Sequence, residues 1–142
     1  MGLVVKASPD VRYIFKGWPI FASRWENSGK AAQRGIDGWK QKGVAAYAVY
    51  HNGVYRTGHN EGQLTAADID AAAKAAGVTG KLAADYTLLL EKNDQLAQTL
   101  GLTGTPGLIV MPVNNATPKT ITVFPGAATA EQIEVAIRKA SN

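Results

Sequence analysis

Residues Gly101–Gly107 read GLTGTPG, and the apolar run Leu108–Met111 (LIVM) follows at once. A glycine-rich loop ahead of a strand can cradle a phosphate, turn a corner, or seat a proline in a special geometry. A phosphate loop needs Gly-x-x-x-x-Gly-Lys-Ser/Thr opening into a helix, whose N-terminal N–H groups face the anion. This loop instead leaves a helical pattern and enters a strand, and no lysine follows it. The turn is the better reading: Gly101 ends the helix, Gly104 permits a reversal, and Thr105-Pro106 enters the strand. An X-Pro bond in a tight turn can be cis at modest cost. A cis bond would leave the Thr105 backbone facing outward, free to pair with an extended peptide. The alternative is a trans proline that simply starts the strand.

Downstream, residues 108–113 predict a buried strand, and Asn114-Asn115 lead through a polar loop to a second strand over Thr120–Phe124, a hairpin pattern. Pro125-Gly126 break the chain. Thr129 with Gln132 then forms a reciprocal capping pattern, with Ile133, Ala136 and Ile137 on one helix face. Upstream, Leu82, Leu89, Leu96 and Leu100 predict an amphipathic helix stopped by Gly101. Thr65 and Asp68 open another helix, which Gly77 closes as a left-handed cap.

Nearer the N-terminus, Val11–Phe15 (VRYIF) is β-branched and aromatic and reads as a strand. A loop punctuated by Gly17, Pro19 and Gly29 follows, and Asn27 or Ser28 is placed to cap a helix ending near Gly43. Gly35 and Gly38 weaken that helix by up to ~1 kcal/mol each, so it needs tertiary support. A second helix follows over residues 44–58, interrupted by His51-Asn52-Gly53. Strand, helices, strand pair and terminal helix make an α/β order. The first strand should lie parallel to the one after the loop, with an antiparallel edge added by the hairpin.

Composition narrows the function. The 142 residues suit one domain, 1–142, and 46% hydrophobic content is enough for a core. No apolar run approaches the ~20 residues that span a bilayer, and the first ten residues lack the marks of a signal peptide. Residues 1–60 hold nine Lys/Arg against three Asp/Glu, while residues 61–142 hold six against eight. The charges are scattered singly, the pattern of a solvated basic face rather than a nucleic-acid site. There is no cysteine, which removes disulfides, thiolate nucleophiles, iron–sulfur clusters and most structural zinc sites. No cofactor motif is present. His51 and His59 lack further ligands nearby in sequence and read as surface histidines. Asp68/Asp70 and Glu131/Glu134 sit near helix starts, where the dipole accounts for them. Trp18, Trp25 and Trp39 read as packing residues, with Trp18 and Trp25, in a loop, the more suggestive of a binding surface. Asn115–Thr117 matches a glycosylation acceptor, a pattern short enough to arise by chance.

The run LAQTLGLTGTPGLIVMP, the strand pair, FPG and the last helix together resemble the C-terminal half of a DsbA-type thioredoxin-fold domain. PDVRYIFKGWPIF is similar to that family's second strand and its proline-containing loop. NSGKAAQ and GQLTAADIDAAAKAAGV resemble its inserted helices. The resemblance runs from about residue 9 and is most specific at Gly104-Thr105-Pro106-Gly107. It implies a thioredoxin-like sheet with a helical insertion at about 28–100, Pro106 as the family's cis-proline, and Thr105 beside the active site. It also implies an envelope or periplasmic setting, with the cytoplasm left open by the lack of a signal peptide.

The departure from the family is that its N-terminal strand and Cys-x-x-Cys helix are expected to be missing. Thiol–disulfide exchange needs a thiolate stabilised at that helix and a second cysteine to resolve the mixed disulfide. A serine would need a base partner to attack at all. Two function classes follow from the resemblance. One is a truncated or degenerate oxidoreductase/isomerase relative without thiol catalysis. The other is a non-catalytic module holding an extended or unfolded polypeptide at Gly104, Thr105, Pro106, Trp18 and Trp25. A third is a thiol-ligand fold of the glutathione-transferase kappa type. A sheet lacking its first strand would expose unpaired backbone, which residues 2–6 could fill or a homodimer could close.

Overall fold

A computed structural model of the chain describes residues 10–59 and 62–142. These form four helices and two strands: α1 (Glu26–Arg56), α2 (Ala66–Ala75), α3 (Thr87–Thr99), β1 (Leu108–Val110), β2 (Thr122–Phe124) and α4 (Ala130–Ser141). They divide into two compact units. One is Gly17–Asp94; the other gathers Gln95–Asn142 with the described residues up to Lys16. Residues 2–6, expected as one way to complete the sheet, lie outside the described residues.

In the unit Gly17–Asp94, α1 is two helical limbs joined at Gly43, whose φ of 83° lies where L side chains rarely go. A straight helix would hold Ala31 and Tyr50 about 28 Å apart. Instead the Tyr50 hydroxyl donates to the Ala31 carbonyl at 2.8 Å, so the limbs fold back on each other. Burial pushes that hydroxyl's pKa upward. The second limb runs through His51-Asn52-Gly53 without a break. Asn27 and Ser28 do not cap α1: the N-cap is Trp25, without a side-chain bond, and Asn27 Nδ2 donates to Leu64 O at 2.8 Å.

The tertiary support that the glycines require is visible at Gly38. A Cβ there would stand 2.9 Å from Val78 Cγ2, so only hydrogen lets Val78 sit on the helix. Val78 follows α2, which begins with the expected Thr65/Asp68 capping box. At its end Val78 N donates to Ala73 O and Gly77 N to Lys74 O, the double bond pattern of a left-handed glycine cap. Ala31, Tyr50, Ile69, Ala72, Ala73 and Val78 form the main core, and Ile36, Tyr86 and Leu90 a second cluster.

Asp37, fully buried, meets the second cluster through Tyr86. Its Oδ1 accepts from Ala83 N (3.1 Å) and Tyr86 Oη (2.9 Å); its Oδ2 accepts from Gln41 Nε2 (2.8 Å) and Arg34 Nη1 (3.3 Å). Arg34 Nη2 continues to Gly80 O at 2.9 Å. The first limb of α1 is thereby tied to residues 80–86. The buried stripe of α3 is Tyr86, Leu90, Asn93 and Ala97, not the expected leucines, since Leu82, Leu89 and Leu96 are exposed. Leu82 precedes α3, and at about 100° per residue Leu89 and Leu96 fall roughly 80° round the helix from the centre of the buried set.

In the other unit, Val11–Phe15 is not a strand: the segment alternates exposed and half-buried residues but joins no ladder among the described residues. β propensity needs a partner to become a strand. The expected parallel pairing is therefore not formed among those residues, and the sheet has two strands, β1 and β2. They pair antiparallel as Leu108↔Phe124, Ile109↔Val123 and Val110↔Thr122. The strand expected over 108–113 is three residues long and half-buried, because Pro112 has no N–H to extend a ladder. A long connection with Asn115 at φ 56° joins the strands, in place of a tight hairpin. Thr129 and Gln132 form the expected capping box of α4, which buries Ile133 and Ala136.

Candidate functional site

The loop Gly101–Gly107 is held at both ends by Leu102. Its N–H donates to Ala97 O at 2.9 Å, closing α3 over Gly101, which takes φ 70°. Its side chain packs so closely on Gly107 that a Cβ there would stand 2.7 Å from Leu102 Cδ1. Gly104, expected to permit the reversal, has no positive φ, and a Cβ there would meet nothing within 4 Å. The reversal falls on Gly101 instead. The Thr105–Pro106 peptide bond is cis, and both residues are exposed.

β1 leaves this loop with its side chains sorted by the pleat. Thr122 and Phe124 line a cleft with Val135 and Ala136 of α4. Leu108 and Val110, their register partners, share that face. Ile109 points the other way, and Met111 and Val113 continue the alternation, Val113 being 75% exposed. Among the described residues β1 pairs only with β2, so its second edge carries backbone groups outside any ladder. The two strands differ in how they are guarded. Lys139 Nζ donates to Ile121 O (3.0 Å) beside β2, while residues 95–118 contain no charged side chain. Charges next to an edge are the usual defence against strand addition, and β1 lacks them in its own segment.

Gly104, Thr105 and Pro106 thus belong to one unit; Trp18 and Trp25 belong to the other. There, Trp18 Nε1 donates to Asp94 Oδ1 at 2.7 Å, and Asn93 Nδ2 donates to Gly17 O at 2.8 Å. The indole N–H of Trp18 is therefore committed to an anchor. Trp25 meets the Phe21 ring edge-on, centroids 5.0 Å apart, and the Arg24 guanidinium lies 5.1 Å from its ring centre. Its indole also packs on Gly62, where a Cβ would stand 2.5 Å from Nε1. Trp39 is exposed.

Phe21, Arg24 and Asp37 belong to no motif in the sequence. For Phe21 and Arg24 the available signal was the clustering of FASRW between turn residues. For Asp37 it was an acid among small residues on a helix. His51 lies between the Tyr47 and Tyr55 rings, and burial lowers its pKa. His59 Nδ1 meets Asp68 Oδ2 at 2.8 Å. That oxygen also accepts from Thr65 N and Thr65 Oγ1. These bonds hold the Asp68 carboxyl down at about 2, the His59 contact contributing most.

No protein-family model matches the sequence, and no curated protein matches it. Solved structures do. Salmonella enterica Typhimurium BcfH superposes with a TM-score of 0.77 at 36% identity, over 99% of this chain and 62% of that one. Proteus mirabilis ScsC in a compact conformation gives 0.75 at 28% identity, over 99% and 71%. The catalytic domain of Proteus mirabilis ScsC gives 0.72 at 27%, over 99% and 72%. The chain therefore spans about three fifths of BcfH. Among the described residues no helix is long and apolar enough to cross a membrane.

Proposed function

The chain is a relative of BcfH and ScsC, DsbA-like thioredoxin-fold proteins, and from that premise we propose that it is a non-catalytic binding domain for extended polypeptides. The observation that carries this reading is a cysteine-free sequence on that fold, combined with a β1 edge that pairs with no second strand among the described residues, beside exposed Thr105 and Pro106. Without a thiol, these 142 residues have no nucleophile for disulfide exchange and no group to resolve a mixed disulfide. What the fold keeps is a backbone edge. An extended chain lying along β1 would gain main-chain hydrogen bonds from that edge, and Ile109, Met111 and Val113 offer apolar contacts at a period of two. Gly104, Thr105 and Pro106 would form the entry to this track, with Trp18 acting through its Asp94 anchor to hold its own loop. The periplasm, carried from the family resemblance, is the compartment in which unfolded polypeptides of this kind would be met.

The test is capture of a permanently unfolded polypeptide, such as reduced and carboxymethylated lactalbumin, by the purified chain. Ile109→Lys plants a charge on β1 at an exposed position and is expected to weaken capture about fivefold or more. Unchanged capture, with far-UV circular dichroism intact, would overturn the edge assignment. A second copy pairing at the same edge would appear as a concentration-dependent dimer that the same variant dissolves. Insulin reduction by the pure chain is expected to be blank.

A further inference from the structure

The loop between Lys16 and α1 shows aromatic and cationic side chains to solvent, yet it is firmly built. Ile20 N donates to Trp18 O, Ala22 N to Pro19 O, Arg24 N and Trp25 N to Phe21 O, and Ser28 N to Trp25 O, all between 2.8 and 3.0 Å. Trp18 and Gly17 tie the start of the loop to Asp94 and Asn93. Phe21 stays 43% exposed on this frame, edge-on to Trp25, with the Arg24 guanidinium stacked over the same indole. A large aromatic in a merely structural loop would be expected to turn inward, since each one buried removes 150–250 Å² from water.

The charge balance is equally specific. Among the described residues Glu26 pairs with Lys30 at 2.8 Å and Asp94 accepts from the Trp18 indole at 2.7 Å. Among the described residues no carboxylate pairs with Arg24. The Arg24 guanidinium lies over the Trp25 ring and is exposed, and its N–H fork can donate two parallel bonds to a carboxylate. Tryptophan and arginine on a preorganised frame are also the composition of binding hot spots.

We propose that Phe21, Arg24 and Trp25 form a docking surface for a polypeptide segment carrying a carboxylate side chain next to an apolar one. The carboxylate pairs with Arg24, and the apolar side chain lies against the Phe21 ring and the rim of Trp25. The excess of cations in the first sixty residues favours the approach of such an acidic segment. This surface shares no residue with the β1 edge, and the proposal does not rest on that edge.

The experiment uses the full chain and two fluorescein-labelled hexapeptides, Gly-Asp-Leu-Glu-Phe-Gly and its Asn/Gln counterpart, titrated by fluorescence anisotropy. The acidic peptide is expected to bind about fivefold or more tightly than the neutral one, with affinity falling as salt rises. Arg24→Gln should erase the difference between the peptides, and Phe21→Ala should weaken both. The unfolded-polypeptide capture that Ile109→Lys impairs should be unaffected by Arg24→Gln, which separates this surface from the edge. Equal binding of the two peptides, or no change in Arg24→Gln, overturns the proposal. Sedimentation with vesicles of equimolar phosphatidylglycerol and phosphatidylcholine supplies the other arm. Vesicle binding lost in Arg24→Gln, without peptide binding, would assign the surface to a membrane and equally overturn it.

Discussion

Replacing Asp37 by alanine is expected to destabilise the unit Gly17–Asp94 by about 4 kcal/mol. Asp37 has no exposed surface and receives four donors from three parts of the chain: Arg34 and Gln41 on its own helix, Ala83 N, and Tyr86 Oη. Removing the carboxylate leaves Arg34, whose side chain is 13% exposed, as a nearly buried cation without its anion. Breaking a buried pair in this way costs roughly 3–5 kcal/mol. The orphaned Ala83 N–H and Tyr86 hydroxyl each carry a penalty of about 1–3 kcal/mol where water cannot reach them. The terms share one cavity, so they do not add in full. Alanine's better helix propensity returns at most about 0.7 kcal/mol.

Asparagine keeps the shape and one acceptor oxygen but turns an amide NH₂ toward Gln41 and Arg34, so Asp37→Asn should cost about half as much. The assay is urea unfolding followed by far-UV circular dichroism, with free energies taken from midpoint and slope. A loss of about 4 kcal/mol is between a quarter and four fifths of the roughly 5–15 kcal/mol of an ordinary domain, so the urea midpoint should fall by a comparable fraction. If Asp37→Ala unfolds within 1 kcal/mol of the parent chain, the network does not join the helix to residues 80–86 as described.

Two further outcomes follow from other contacts. Asp68 has a folded-state pKa of about 2, below its ordinary value, so its stabilisation is fully present above about pH 4 and is lost as pH falls toward 2. The difference in urea midpoint between the parent chain and Asp68→Asn should be constant from pH 6 to 4.5 and close between pH 4 and 2; a difference independent of pH would refute the role of its ionised form. Gly38→Ala gains about 1 kcal/mol of helix propensity but places a methyl 2.9 Å from Val78 Cγ2, on a stiff and buried side chain. Overpacking of this kind costs roughly 1–3 kcal/mol, so a net loss of about 1 kcal/mol is expected, and a raised thermal midpoint would contradict it.

Most of what was legible in the sequence was local. Thr65 with Asp68 and Thr129 with Gln132 announce their helices because a capping box closes within four residues. Gly77 and Gly101 announce helix ends because a left-handed residue is needed there whatever packs around it. The stretch Gly101–Gly107 belongs in the same class: its order of glycines and proline sufficed to reject a phosphate loop and to point to the fold that BcfH and ScsC share.

What depended on the tertiary structure was pairing. Val11–Phe15 has strand composition and no ladder, because a strand is completed by its neighbour and the neighbour is not written in the segment. The buried face of α3 passed from the leucines to Tyr86, Leu90, Asn93 and Ala97, because contact geometry, rather than hydrophobicity alone, selects the stripe. Asp37 and Arg24 are each a charged residue next to a tryptophan-bearing stretch, RGIDGWK and FASRWEN, and neither carries a motif. One ended fully buried under four donors and the other exposed over the Trp25 ring. Composition is a property of each residue in turn, whereas desolvation and partnership belong to residues brought together from distant parts of the chain, and only the folded chain assigns them.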